Sequence, residues 1–130
     1  MPVPILVVSG VLELTVGVLS GWLMLLASDR PAWLRALGLR DAGYLRKGHL
    51  DLLFMGVIQV AVGVAVSPLP LWIAIPIVLG AVVQPLSFFA LSARPSLRES
   101  AVFQAAELSV FVVFTAGWLA LATLVVLRVR

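Results

Sequence analysis

Four runs of apolar residues, Val3 to Ala27, His49 to Val66, Leu69 to Ala93 and Ala101 to Leu127, fill most of the chain and are separated by short polar segments. Each is close to the roughly 20 residues that an α-helix needs to cross a hydrocarbon core about 30 Å thick. The pattern predicts an all-α integral membrane protein. It is read as one four-helix transmembrane bundle over residues 1–130, with spans near 3–27, 46–66, 69–92 and 97–127. Because Met-Pro-Val-Pro at the start lacks a basic n-region, the first run is expected to be retained rather than cleaved as a signal peptide.

Local signals place the helix ends. Ser28-Asp29-Arg30-Pro31 reads as a cap followed by a first-turn proline, and Gly38 as a stop. Between them a short interfacial helix, Ala32 to Leu37, is expected to turn Trp33, Leu34 and Leu37 towards lipid. Asp41 starts the second long helix, which then runs through His49, and Ser67-Pro68-Leu69-Pro70 makes a tight turn. Pro76 and Pro85 predict a kinked third helix, and Ser96-Leu97-Arg98-Glu99 reads as a capping box opening the fourth.

Composition agrees with the pattern: 62% of residues are hydrophobic and 12% charged, with a mean hydropathy of +1.16. Charge then sets orientation. Seven of the nine basic side chains, Arg30, Arg35, Arg40, Arg46, Lys47, Arg94 and Arg98, lie in the first and third connections. By the positive-inside rule these connections are cytoplasmic and both termini lie outside, as in a multi-pass protein of the cell (inner) membrane. Trp22, Trp33 and Tyr44 mark one boundary of that bilayer, and Trp72 and Trp118 the other. Topology therefore accounts for the pI near 10.7, and nucleic acid is not an expected partner. Without cysteine the chain has no disulfide, thiolate nucleophile or thiolate metal site.

Candidate chemistry comes from polar groups placed inside the spans. At about 100° per residue, Ser9, Glu13, Gly17, Ser20 and Met24 share one stripe of the first helix, so that stripe faces protein. Glu13 falls near mid-membrane, where a charge costs at least about 2.5 kcal/mol, and is assigned to function ahead of simple interhelical packing. On the second helix His49, Leu52, Leu53, Gly56, Val60 and Gly63 align, with Gln59 at the edge; their glycines admit something flat or another helix. Asp51 follows Lys47 by one helical turn, which predicts an ion pair. Gly80, Gln84 and Ser87 share a face of the third helix. Ser100, Phe103, Glu107, Phe111, Phe114 and Trp118 share one of the fourth, flanked by Gln104. By depth, His49, Gln84, Gln104 and Glu107, with Glu13 and Gln59 deeper, outline a cavity open towards the cytoplasm.

The run Arg46-Lys47-Gly48-His49-Leu50-Asp51-Leu52-Leu53-Phe54-Met55-Gly56, followed by a proline turn and a third helix carrying Gln84, resembles the small four-span membrane isomerases typified by styrene oxide isomerase and hydroxylaminobenzene mutase. The resemblance covers about residues 46 to 91. It implies a homotrimer binding haem b through His49, beside Gly56, with iron acting as a Lewis acid on the oxygen of a small hydrophobic epoxide. Glu13, Gln84 and Glu107 are then the groups available to orient substrate or stabilise developing positive charge. Met55 stands where the family has an asparagine, and Gly80 and Phe88 align with its Asp and Tyr. Cofactor binding is thus carried over more directly than the epoxide chemistry. Two other readings remain open at this point. A lone Glu in the first of four spans is also similar to the small multidrug resistance transporters, where it would couple protons to an apolar cation, and a non-catalytic scaffold subunit needs only the small-residue faces for packing.

Overall fold

The computed structural model describes residues 4–129, so Val3, at the expected start of the first span, and Arg130 lie outside the described residues. Four long helices, α1 (Ile5–Asp29), α3 (Ala42–Ala65), α4 (Leu71–Ala93) and α5 (Ala101–Val129), are each long and apolar enough to cross a membrane. The chain is a multi-pass membrane protein. A short helix α2 (Pro31–Ala36) joins α1 to α3, and a 3₁₀ turn (Pro95–Glu99) joins α4 to α5.

The all-α bundle is open. α1 packs on α3, α3 on α4 and α4 on α5, while α1 barely meets α4 and, among the described residues, the backbone of α5 approaches neither α1 nor α3. Close approach of α1 and α3 depends on missing side chains: a Cβ on Gly10 would lie 2.6 Å from the Gly56 carbonyl oxygen, and one on Gly56 2.7 Å from Leu14 Cγ. On the other side of α3, Gly48 abuts Pro85 and Phe89 of α4. α5 is anchored through Phe114, whose ring covers Gly80 and meets Trp118 edge-on at 6.1 Å. Leu6, Ile73, Ala74, Ile77 and Leu121 form an apolar core at the end away from the basic connections.

The connections follow their sequence signals in part. Asp41 caps α3 by accepting from the N–H groups of Gly43 and Tyr44, at 2.8 and 3.0 Å, and Gly38 ends the α2 segment with φ +82°. Three other expectations fail. Ser28 and Asp29 do not cap α2, because α1 runs on to Asp29 and Arg30 alone turns the chain. Leu34 is buried while Trp33 and Leu37 are exposed, since a helix this short lays one side against the protein. The capping box is absent: Pro95 winds Ser96–Glu99 into the 3₁₀ turn, and Ser100 holds the extended conformation before α5 and accepts from Phe103 N–H at 3.4 Å. A tie that the sequence did not signal joins the α2–α3 loop to α4, where the Ser92 carbonyl accepts from Arg40 and Asp41 N–H and the Ser92 hydroxyl donates to the Asp41 carbonyl.

Candidate functional site

Polar groups converge along the seam between α1 and α3. The stripe of α1 faces protein as expected, with Ser9, Glu13, Gly17 and Ser20 buried, and the helix it meets is α3. Gln59 sits at the centre of the α3 face rather than its edge, because α3 is covered by α1 on one side and α4 on the other. In the middle of the seam Gln59 Nε2 donates to Glu13 Oε1 at 2.6 Å and the Ser9 hydroxyl donates to the same oxygen at 3.3 Å. Glu13 is 4% exposed and Gln59 1%, and Glu13 Oε2 and Gln59 Oε1 are buried without a hydrogen-bond partner among the described residues.

Two turns further along α1, towards the basic end, the Ser20 hydroxyl meets His49 Nδ1 at 2.9 Å. The same hydroxyl lies 2.7 Å from the Gly17 carbonyl. A serine has one hydroxyl proton, and the carbonyl can only accept, so that proton goes to Gly17 and Ser20 faces His49 as an acceptor. Nδ1 then carries the ring proton. In the neutral imidazole the lone pair is left on Nε2, for which the structure gives no hydrogen-bond partner among the described residues. His49 is half-buried and lines a cleft of about 440 Å³ with Met24, Ala27, Ser28, Arg46 and Leu50. That volume lies within the ~300–1,000 Å³ common for small-molecule sites.

The remaining predicted residues stand elsewhere. The space opposite Gly56 is filled by Gly10 and Leu14 of α1, so of the two occupants its stripe admitted, a helix is there. Gln84 is half-buried on α4, with its carbonyl accepting from Ser87. Glu107 is half-buried in a shallow groove of about 260 Å³ between α4 and α5, against Val83, Leu86, Ser87 and Phe103. Gln104 donates to the Arg98 carbonyl. The predicted single cavity therefore does not form: α4 separates the groove of Glu107 from α1 and α3, and Glu13 is enclosed by packed helices. Nor do Lys47 and Asp51 pair. Lys47 Nζ lies 5.2 Å from the centre of the Tyr44 ring, and Asp51 Oδ2 is buried without a partner among the described residues.

Sequence reasoning missed Ser20 as a partner of His49, though both lay on stripes already singled out. The signal was their depth, since each stands near the basic end of its helix. Among the described residues no three His, Asp or Glu side chains gather to hold a bare metal ion. A metal bound at His49 would have to bring most of its own ligands, as haem iron does. The cleft offers such a group one imidazole nitrogen, apolar walls from Met24, Ala27 and Leu50, and the Arg46 guanidinium for an acidic edge. Comparison with protein-family models, characterised proteins and solved structures finds no match for this chain.

Proposed function

We propose that the chain is a membrane-embedded isomerase of small apolar molecules that uses His49 as the single protein ligand of haem b. The observation that supports this most is the Ser20–His49 pair, which fixes the imidazole by Nδ1 and leaves Nε2 with its lone pair. A hydrogen bond to one ring nitrogen sets the tautomer and orientation of the other, and that is the arrangement by which proteins prepare a histidine to ligate. When bound, haem supplies a Lewis acid able to polarise an epoxide oxygen.

The chain's own residues do the rest. Ser20 holds the ring, Arg46 would pair with an anionic edge of the bound group, and Met24, Ala27 and Leu50 supply the apolar wall beside it. Gly56 contributes by letting α1 and α3 approach, which brings Ser20 to His49. Glu13, Gln84 and Glu107 do not line this cleft, and in this reading they do not touch substrate. The basic connections face the cytoplasm, so the cleft takes its substrate at the inner boundary of the cell membrane. Membranes containing the protein and supplied with haemin should convert a small aryl epoxide to its carbonyl isomer, and the His49→Ala variant should not. Equal conversion by both would refute the assignment.

A further inference from the structure

The Glu13–Gln59 pair is buried more completely than any group of the His49 cleft, and the proposed isomerase makes no use of it. Its geometry is unfinished. Glu13 Oε1 is saturated by Gln59 Nε2 and Ser9, yet Glu13 Oε2 and Gln59 Oε1, both acceptors when the acid is ionised, have no donor. Two buried acceptors without a proton between them are costly, and a carboxylate inside a membrane more so.

No side chain among the described residues is available to neutralise it. Glu13 is the only ionisable residue of α1 before Asp29, and α4 carries none at all. On α3 the cations Arg46 and Lys47 lie at the basic end and His49 is bonded to Ser20. Asp51, the one acid within α3, is close enough to act on Glu13 and would bring a second negative charge rather than a neutralising one. Among the described residues nothing supplies the missing positive charge.

We propose that Glu13 and Gln59 form a closed, mid-membrane cation site whose occupant is a proton. The proton, taken from water, sits on Glu13 Oε2 and is donated to Gln59 Oε1, while Gln59 Nε2 donates back to Glu13 Oε1. Acid and amide then close a ring of two hydrogen bonds between α1 and α3, and every buried polar atom of the pair has a partner. Loss of that proton leaves two buried acceptors without a donor beside the close Gly10–Gly56 approach, so the seam is a proton-dependent latch.

Infrared spectra of the lipid-reconstituted protein at neutral pH test this directly. Wild type should show the carbonyl stretch of a non-ionised carboxyl group that is lost in Glu13→Gln and retained in Glu107→Gln and Asp51→Asn. Glu13→Gln replaces the pair by two amides, which can still bond across the seam, and its circular dichroism should match wild type. Gln59→Leu keeps the acid but removes its partner, so the same band should persist at a shifted frequency even if the first variant does not assemble. Carboxylate bands in the wild type minus Glu13→Gln difference would overturn the proposal. So would conversion of the carboxyl band to carboxylate by added sodium, which would make the occupant a metal ion.

Discussion

The two ends of the helix row treat the same sequence feature in opposite ways. In the α1–α3 seam an intramembrane acid, Glu13, is enclosed by glycine-tight helix contact and met by Gln59 and Ser9. In the α4–α5 pair another acid, Glu107, lies in a shallow groove with no hydrogen-bond partner among the described residues, on a helix that buries only Gly117 and Leu121 among them. Glycine on the facing helices makes the difference. Gly10 and Gly56 bring two backbones together, whereas Gly80 admits the Phe114 ring and leaves the polar face of α5 unengaged. An acid in a span is thus a signal that something must neutralise it; which neighbour does so depends on how closely the next helix can come.

The largest expected effect follows from breaking the seam itself. Gly56→Leu inserts a side chain where even a Cβ would stand 2.8 Å from the Gly10 carbonyl oxygen, so α1 and α3 must separate. Overpacking of this kind costs about 1–3 kcal/mol or more. Thermal unfolding in detergent should show a large loss of stability, together with loss of haem binding, because Ser20 moves with α1.

The Glu13 and Glu107 variants sharpen the comparison at smaller amplitude. Glu13→Leu strands the buried Gln59 amide and should destabilise by about 1 kcal/mol, the usual size of an interhelical hydrogen bond in a membrane. Adding Gln59→Leu should recover part of that loss, since removing both partners leaves no orphan. Glu107→Leu has no bond to lose and should leave unfolding unchanged or slightly delayed. Equal destabilisation by Glu13→Leu and Glu107→Leu would end the distinction between the two regions.

The smallest effect belongs to the far end of α5. Arg128 donates to the Val66 and Pro68 carbonyls at 3.2 and 2.7 Å, in an exposed position. Arg128→Ala should shift stability by no more than about 0.5 kcal/mol in the same unfolding assay. A larger loss would mean that α5 is held chiefly by its end rather than by Phe114.

Much of this was legible in the sequence, for identifiable reasons. The four spans follow from run length, and the buried stripe of α1 follows from the spacing of Ser9, Glu13, Gly17 and Ser20. Helical periodicity finds faces, but it does not say which helix each face meets. Similar depth of His49, Gln84, Gln104 and Glu107 therefore suggested one shared cavity, while the fold turns the α3 stripe towards α1 and places α4 between it and α5. Local competition explains the other differences. Pro95 claimed Ser96 and Glu99 for a tight turn, and the Tyr44 ring drew Lys47 away from Asp51. The Ser20–His49 bond joins residues 29 positions apart and needed the helix packing to be seen.

Haemin titration of the purified protein, followed by absorption, tests the central claim most directly. The account predicts a Soret band that saturates at one haem per chain, weakens in Ser20→Ala as the imidazole loses its tether, and is absent in His49→Ala despite unchanged helical circular dichroism. A wild-type protein that stays colourless with excess haemin, or a His49→Ala variant with the same band, would contradict it.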